Sequence, residues 1–387
     1  MTNRVMLHCV GDFYAREASV AQLQHDPSAF SAAVQLLSGA HVRFANLEAP
    51  LIDGGKPLPS SGVRLRSPVS TTGLLHHLGF DVVTIANNHM FDYGEAGVIS
   101  TLDTLRAASL PFVGAGRTDA DAGAPVFMTV GGRRLAFLGV CDDQGGGAGN
   151  VRPGVRLLNP ARLEEDVRRA RKEADHVIVG MHTGLEFVPA PEPFFLDVAR
   201  RLIDAGADVI AGHHPHVPQG AIRHGRGIIA CSLGDFLFDL PRTREEMTPH
   251  QRRFDQLHPV LEVALDDRGV VDHHVHWLAR REGRYEIVKD WSFDVRREFD
   301  ALSALANDPS RVREHADGVY RSNLYSIAYA VYDAFYFMIA RRNGARFRSL
   351  MRWLPTLTRT PKRRFIAEGV RATGRKVFGR TRTPTAT

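Results

Sequence analysis

Short apolar runs alternate with polar or amphipathic stretches over the first 280 residues of the chain. Most of these runs are continuously apolar rather than alternating, which is typical of strands buried on both faces. They span Arg4–Val10, Val42–Asn46, Asp81–Ala86, Leu135–Val140, His176–Met181, Asp208–Gly212 and Gly227–Ser232. Amphipathic stretches between them, including Asn159–Ala174 and Pro191–Ala205, predict helices. The alternation predicts an α/β domain with a largely parallel or mixed sheet.

The pattern changes twice towards the end of the chain. The apolar runs Val260–Leu265 and Val270–Leu278 flank a polar connection that ends in Gly269, which predicts a β-hairpin. Further on, the apolar and aromatic segment Asn323–Ala340 predicts a helix. We therefore expect three regions along the chain. They are a folded domain over residues 1–280, an accessory helical region over 281–340, and a basic, flexible tail over 341–387.

Composition agrees with a globular protein and favours a reducing compartment. Of the 387 residues, 44% are hydrophobic and 24% charged, as in ordinary soluble domains. Cys9, Cys141 and Cys231 are far apart and lie in or beside apolar runs, so we expect buried, reduced thiols. The chain shows neither a charged segment leading into an apolar one at its start nor a run of about 18 apolar residues. These features predict a cytoplasmic protein without a signal peptide or a membrane-spanning helix.

Charge is distributed unevenly along the chain. Residues 341–387 contain fourteen Lys or Arg and one acid, Glu368, so this tail carries +13 and the remainder −7 of the net +6. Three interpretations stay open for residues 323–387. The preferred one is a helix packed on the domain and followed by a solvated tail. The second is an anchor on the anionic inner face of a membrane. Nucleic-acid binding is least favoured because no nucleic-acid-binding fold accompanies the arginines. The sequence does not indicate an oligomeric state.

Side chains that commonly bind metals follow the apolar runs at their carboxyl ends. In open α/β sheets the carboxyl ends of parallel strands line one edge, and ligands bind at that edge. In chain order these side chains are Asp12, Asn46, Glu48, Asn88, His89, Asp92, His182, Glu186, His213, His214 and His216. The sequence therefore predicts that carboxylate, amide and imidazole groups meet at one edge of the sheet.

Each of these residues has a purely structural alternative when it is considered alone. Asp12 could cap a helix, Glu48 could be a solvated turn residue, and His182 could be a satisfied core histidine. The closely spaced pair His214 and His216 is more indicative of a site. Metal-binding groups at five strand ends favour a shared site over coincidence. Oxygen and imidazole ligands suit Mn, Fe or Zn, and they could hold one divalent ion or a bridged pair about 3.5–4 Å apart.

Six short motifs between residues 4 and 240 occur in a fixed order. They are Gly11-Asp12, Asn46–Glu48, Ala86–Gly94, His182–Phe187, Gly212–Gly220 and Ser232–Asp239. As a set they resemble the CapA family, which is named for poly-γ-glutamate capsule synthesis. That family belongs with the calcineurin-like metallophosphoesterases. The resemblance therefore implies a four-layer α-β-β-α sandwich of two mixed sheets, here with a helical, basic extension at the C-terminal end.

The resemblance also implies ligands for two metals, which fall into three groups. The implied ligands of the first metal are Asp12 and His216. Glu48 matches the carboxylate that bridges both metals. The implied ligands of the second metal are Asn88, His182 and His214.

Two further residues match the position of a proton donor and its partner. His89 resembles the histidine that protonates the leaving group, and Asp92 resembles the carboxylate that orients it. The remaining motif residues near the site have no assigned role. They are Asn46, Glu186, Gln219 and Asp235, while His213 lies at a permissive position outside the implied ligand set.

The chain departs from the family pattern at two places. The wider superfamily usually has Asp-x-His on the first strand, but Phe13 and Tyr14 follow Asp12 here. The CapA pattern shares this loss, which leaves the first metal short of one imidazole. Asp235 replaces the asparagine of the family's Ser-Leu-Gly-Asn-Phe motif. It either adds a ligand or caps a turn, and the turn is the preferred interpretation.

Two functions of different classes are consistent with these residues. The preferred one is a metal-dependent hydrolase or phosphoesterase of the capsule or poly-γ-glutamate synthesis type. In it, hydroxide from metal-bound water attacks a phosphoester or an acidic polymer, and His89 with Asp92 supplies the proton. The alternative is a non-catalytic, metal-stabilised component of a polymer synthesis or export assembly at the membrane surface. The missing first-strand histidine favours this alternative, whereas a positioned acid favours an enzyme.

Overall fold

The structure is a computed structural model that describes residues 4–59, 63–142, 146–240, 243, 245–288, 293–321 and 368. The predicted helix Asn323–Ala340 and, except for Glu368, the predicted tail lie outside the described residues. The chain divides into two units after Asp308. In the second unit, residues 309–321 are helical. All other elements belong to the first unit, which also contains the predicted site.

The predicted alternation of strands and helices is confirmed in the first unit. In chain order its elements are β1 (Val5–Tyr14), α1 (Glu17–His25), a 3-10 helix (Pro27–Phe30), α2 (Ser31–Leu37), β2 (Val42–Leu47), α3 (Thr71–His77), β3 (Val82–Thr84), α4 (Gly94–Ala107), β4 (Phe112–Val113), β5 (Ala115–Gly116), α5 (Asp119–Gly123), β6 (Val126–Val130), β7 (Arg133–Cys141), β8 (Gly154–Val155), α6 (Pro160–Glu173), β9 (His176–His182), α7 (Pro193–Asp204), β10 (Val209–His213), β11 (Ala221–His224), β12 (Gly227–Ala230), β13 (Asp235–Phe238), α8 (Pro249–Arg253), β14 (Leu257–Asp266), β15 (Gly269–Arg281), β16 (Arg284–Ile287) and α9 (Phe293–Ala306).

The strands form two mixed sheets, as expected. The first sheet has the order β16-β15-β14-β1-β2-β3-β4, and β13 also pairs with β1. Its strands β1 to β4 are parallel, whereas β14, β15 and β16 are antiparallel, which confirms the predicted hairpin. The second sheet has the order β11-β12-β10-β9-β7-β6, with a parallel centre and antiparallel edge strands. Strands β5 and β8 pair separately.

The two sheets pack face to face, and helices cover their outer faces. Buried side chains of both sheets share one apolar cluster, in which the ring centroids of Phe44 on β2 and Phe137 on β7 are 5.5 Å apart. A second cluster joins the outer face of the first sheet to α2, α3 and α4 through residues such as Leu37, Leu74 and Leu102. Helices α6 and α7 contact β7, β9, β10 and β12 of the second sheet. The four-layer α-β-β-α sandwich implied by the resemblance is therefore confirmed.

Strand β1 continues beyond its predicted end because it changes partners along its length. It pairs with β14 from Val5 to Val10, and with β13 from Asp12 to Tyr14. Its register with β2 is also irregular between Cys9 and Asp12. Asp12 was expected to follow the strand, but it lies within it because β13 extends the pairing.

The three cysteines, and most of the chain in which a membrane-spanning helix could occur, lie within the described residues. Cys9, Cys141 and Cys231 are all buried, as predicted, and none of the three is in a disulfide bond. Burial raises the pKa of Cys231 to about 12, so this thiol stays protonated at neutral pH. Within the described ranges, no helix has both the length and the apolar character needed to cross a membrane.

Candidate metal centre

The ends of four strands bring the predicted metal-binding side chains to one edge of the sandwich. Asp12 lies near the end of β1, Glu48 directly follows β2, and His182 is the last residue of β9. His214 and His216 follow β10. All five residues are buried, with exposed fractions between 0% for Asp12 and 8% for His216. The structure therefore brings these predicted residues together in one buried cluster.

Two glycines allow the backbone approach that positions this cluster. Asp12 N donates a hydrogen bond to Gly234 O at 2.8 Å. A Cβ atom on Gly11 would lie only 2.0 Å from that same oxygen, so any side chain there would collide with the backbone. In the same way, a Cβ on Gly212 would lie 2.2 Å from Cys231 O. Glycine is therefore required immediately before the ligands that β1 and β10 supply.

Replacing Gly11 with alanine is expected to displace Asp12. The collision with a backbone oxygen cannot be relieved by a rotamer change, so we expect a loss of about 1–3 kcal/mol in the free energy of unfolding, together with weaker metal binding. Gly73→Ala is the matched control, because an added Cβ in helix α3 meets nothing within 4 Å. Urea unfolding and metal analysis of both variants test this. Wild-type stability and metal content in Gly11→Ala would contradict it.

Asp12 is held by two hydrogen bonds from other strands. Asn46 Nδ2 donates to Asp12 Oδ1 at 2.8 Å, and the backbone N of His214 donates to Asp12 Oδ2 at 3.0 Å. Asn46 Nδ2 also lies 3.2 Å from His182 Nδ1. Asn87 Nδ2 in turn donates to Asn46 Oδ1 at 3.2 Å. Asn46, which had no role at the sequence level, thus positions both a carboxylate and an imidazole.

Glu48 is the clearest indication that a cation belongs at this edge. Its carboxylate is fully buried, and neither oxygen has a hydrogen-bond partner. Glu48 Oε1 lies 3.5 Å from His182 Nε2 and 3.6 Å from His216 Nε2. A buried carboxylate without a donor or a counter-charge is costly, and a divalent ion removes that cost. The residues present therefore fit a bound metal.

Three overlapping groups of side chains offer ligand atoms within 4.8 Å of one another. They are Asp12 with Glu48 and His182, Glu48 with His214 and His216, and Asp12 with His216 and Asp235. Asn88 joins them, since its Oδ1 lies 2.7 Å from His182 Nε2. Glu48 belongs to two of the groups, as a bridging carboxylate would.

Asp235 lies closer to the site than a turn residue would. It begins β13 directly opposite Asp12, and its Oδ1 lies 2.8 Å from His216 Nδ1. Phe13, at the position after Asp12, is buried in the apolar core between β1 and the helices. The geometry thus favours Asp235 as an additional oxygen ligand over the preferred turn interpretation.

Burial and neighbouring charges shift the titration of the ligands in opposite directions. Burial, reinforced by Asp12 and Asp235, holds the pKa of Glu48 well above its usual value. Burial also lowers the pKa of His182 and of His214, which keeps both imidazoles neutral and able to bind a metal.

Two other ligands respond more to their neighbours than to burial. Burial alone would raise the pKa of Asp12, but the adjacent histidines, His213 first among them, lower it below its usual range. For His216 the effect of burial is outweighed by Asp235, so the pKa of this imidazole is raised. His213 Nδ1 lies 3.1 Å from Asp12 Oδ1, without hydrogen-bond alignment. His213 was left out of the predicted ligand set, but it contributes to the charge balance of the cluster.

The turn after β10 holds two ligands in an unusual backbone conformation. His214 has a φ of 96° and His216 a φ of 54°, both in the region that favours glycine. Hydrogen bonds from Phe187 N to Pro215 O at 2.8 Å and from Gln219 Nε2 to Val188 O at 2.7 Å tie this turn to its surroundings. Strained residues of this kind are often found at functional sites. Gln219 therefore acts as a support for the turn.

Glu186 and Asp142 lie beside the cluster. Glu186 is exposed, and its charge opposes the effect of burial on the pKa of His214. Asp142 follows β7 at the same sheet edge, accepts a hydrogen bond from Thr183 Oγ1, and has the same effect on His214. Sequence reasoning missed Asp142, although the strand-end rule that found the other acids applies to it as well.

His89 and Asp92 form a separate, well-ordered pair next to Asn88. His89 Nδ1 lies 2.7 Å from Asp92 Oδ2, and the Asp92 side chain is completely buried. Leu65 N and Arg64 Nη1 also donate to this carboxylate, at 2.7 and 2.5 Å. These donors fix Asp92 as an acceptor, so His89 carries its proton on Nδ1 and turns Nε2 away from the pair. Arg64 was not predicted, because nothing in its own surroundings in the sequence marks it.

The four-layer sandwich, with carboxylate, amide and imidazole groups buried at its strand ends, is the architecture that the resemblance found in the sequence implies. The family model "Bacterial capsule synthesis protein PGA_cap" matches residues 6–240. The chain belongs to this family, which confirms the resemblance found in the sequence.

Several bacterial proteins are similar to this chain. The "Capsule biosynthesis protein CapA" of Bacillus anthracis is 38% identical over 188 residues, 47% of this chain and 46% of that protein. The "PGA biosynthesis protein CapA" of Bacillus subtilis (strain 168) is 36% identical over 185 residues, 47% and 49% of the two chains. The "Probable polyglutamine synthesis accessory protein Rv0574c" of Mycobacterium tuberculosis is 32% identical over 212 residues, 51% and 56%. The chain thus spans about half the length of these curated relatives.

Among solved structures, the chain aligns with one described as a novel phosphatase from Mycoplasma pneumoniae. The TM-score is 0.46 at 15% identity, over 72% of this chain and 95% of that chain. A likeness this distant does not indicate an activity.

Proposed function

We propose that this chain is a metal-dependent hydrolase of the phosphoesterase type that acts in the synthesis of a capsule or of poly-γ-glutamate. The observation that supports it best is Glu48, a buried carboxylate whose oxygens have no hydrogen-bond partner and which lies beside the imidazoles of His182 and His216. The names of the similar proteins, which refer to capsule, PGA and polyglutamine synthesis, support a polymer as substrate.

In this proposal two ions would share Glu48. The resemblance implies that Asp12 and His216 would hold one ion and that Asn88, His182 and His214 would hold the other. Asp235, which offers a ligand atom within 4.8 Å of those of Asp12 and His216, would join the first. Oxygen and imidazole donors of this kind suit Mn, Fe or Zn. When bound, such ions polarise a substrate oxygen and lower the pKa of a bound water towards neutrality.

The chain itself would contribute two things to the reaction. They are a proton from His89 and a cavity beside His216 that could hold the substrate. Asp92 holds the His89 ring so that Nε2 can donate a proton to a departing oxygen or nitrogen. A cavity of about 480 Å³ adjoins the metal ligands, with His216 and Asp235 on one side and Arg280 on another. It is large enough for a sugar-phosphate or a short polymer segment.

Metal analysis beside a substrate screen tests this proposal. Protein purified without chelator should contain at least one transition ion per chain that the double variant His214→Ala/His216→Ala no longer holds. The same protein should hydrolyse a member of a panel of phosphoesters and poly-γ-glutamate. His76→Gln, an exposed histidine on α3, is the matched control and should keep both properties.

Two results would count against it in different ways. If wild-type protein binds no Mn, Fe or Zn on reconstitution, the proposed metal site does not exist. Protein that binds metal at these ligands but hydrolyses nothing would support the alternative, a non-catalytic component of a polymer synthesis assembly. The word "accessory" in the name of the mycobacterial relative favours that second candidate.

A further inference from the structure

A second group of potential metal ligands lies on the first sheet, away from the strand ends. His8 on β1, Glu262 on β14 and His276 on β15 offer ligand atoms within 4.8 Å of one another. His8 and Glu262 are directly opposite each other across two strands, and His276 is the diagonal neighbour on the third. His8 precedes Asp12 by four residues of the same strand, so the two groups are about 13 Å apart.

Alternation along the strands places this group on the outer face of the first sheet. Leu7 and Cys9, on either side of His8, belong to the core between the two sheets, and so do Leu261 and Val263, on either side of Glu262. Glu262 and His276 remain about 28% and 30% exposed, whereas His8 is buried. The group is therefore reachable from solvent but anchored by a buried imidazole.

Two of the three distances between the ligand atoms are close to the edge of a zinc coordination tetrahedron. Glu262 Oε2 lies 3.0 Å from His8 Nε2 and 3.3 Å from His276 Nε2. Ligands at about 2.0–2.1 Å from a tetrahedral zinc ion are about 3.3–3.4 Å from each other. Two imidazoles and one carboxylate are also a common set of protein ligands for zinc when the fourth position is left to water.

Hydrogen bonding within the protein accounts for only part of this arrangement. The contact between His8 and Glu262 has hydrogen-bond geometry, but His276 Nε2 is a buried atom without a hydrogen-bond partner. Among the described residues, the ion-pair contacts of Glu262 are these two histidines. Arg43, the nearest arginine on β2, pairs with Asp81 at 2.8 Å instead. A carboxylate and an unpartnered imidazole nitrogen therefore face each other without a fixed cation.

We propose that His8, Glu262 and His276 form a second metal site, which binds one zinc ion with water at the open position. This site is independent of the candidate metal centre at the strand ends, which is called the strand-end centre below and consists of Asp12, Glu48, Asn88, His182, His214, His216 and Asp235. It does not depend on the hydrolase proposal. A zinc ion there would join β1, β14 and β15 across the outer face of the sheet.

Zinc binding to the full chain tests the proposal once the strand-end centre is disabled. The variant Glu48→Gln/His216→Gln, which lacks the carboxylate shared by both proposed metal positions, is stripped with chelator and should still bind one zinc per chain by equilibrium dialysis and elemental analysis. Adding His276→Gln to it should weaken this binding by more than about 100-fold, since it removes a direct ligand. Adding His273→Gln instead should change nothing, because His273 alternates to the opposite side of β15.

A spectroscopic measurement makes the test independent of how well a ligand variant folds. Co²⁺ bound to Glu48→Gln/His216→Gln should give the visible absorption of a four-coordinate nitrogen and oxygen site. Absence of zinc and cobalt binding in that variant, or equal zinc affinity with and without His276→Gln, would overturn the proposal. Failure of the hydrolase proposal would appear separately, as wild-type protein with no metal beyond this single zinc.

Discussion

Replacing His89 with glutamine should lower substrate turnover by about 10²–10⁴-fold, the usual contribution of a positioned general acid. The metal content should stay at the wild-type level, because the His89 ring is hydrogen-bonded to Asp92, which is not a candidate metal ligand. Glutamine preserves polarity at this position but cannot donate a proton with a suitable pKa. Turnover, KM and bound metal are to be measured on the same preparations.

Two further variants separate proton donation from a structural effect. Arg64→Gln, which removes one of the donors to Asp92, should reduce turnover less than His89→Gln does. His76→Gln serves as the histidine control. Full activity in His89→Gln would exclude the proposed role of this residue.

Replacing Glu48 with glutamine should abolish metal binding at the strand-end centre. The same substitution should increase the stability of the metal-free protein. The buried carboxylate has no donor for either oxygen and faces the charges of Asp12 and Asp235. Removing its charge should therefore raise the free energy of unfolding in the presence of chelator by about 1–3 kcal/mol. Few substitutions of a functional residue stabilise the fold, so the sign of this change is informative.

The difference in the free energy of unfolding between Glu48→Gln and the wild type should also depend on pH. The pKa of Glu48 is higher in the folded protein than in the unfolded chain, where a glutamate titrates near 4.3. The metal-free wild type therefore loses stability as the pH rises above that value, while Glu48→Gln lacks this loss. Denaturant unfolding with chelator at about pH 5 and pH 8 should show a larger gap between the two proteins at the higher pH. Glu165→Gln on the exposed side of α6 is the control, and a destabilised Glu48→Gln would contradict the prediction.

Much of the fold could be predicted because buried strands and amphipathic helices have strong local signals. The run predicted at His176–Met181 is observed as His176–His182, and the helix predicted at Asn159–Ala174 as Pro160–Glu173. Strand β13 was not predicted, because its four residues lie within a motif that was interpreted for its chemistry. The continuation of β1 was missed for the same reason, since it depends on pairing with β13.

The site could be predicted in part for a different physical reason. Strand ends in α/β proteins converge, so a ligand type after a strand is informative without any knowledge of the strand order. Contacts between residues that are far apart in the chain depend on how the strands pair, and the local sequence does not indicate them. Arg64 and Asp92 are 28 residues apart in the chain, and His8 and Glu262 are 254 residues apart. These contacts became visible only when the strand pairing was known.

The exchange of partners along β1 divides the first sheet into two parts with separate alignment. On one edge, β1 pairs with β14 of the hairpin up to Val10 and with β13 from Asp12 onwards, whereas β2 pairs with both parts of the strand. A slip or an insertion in the hairpin would therefore leave the direct partners of Asp12, on β13 and β2, unchanged. We expect changes in the hairpin to leave the position of Asp12 the same.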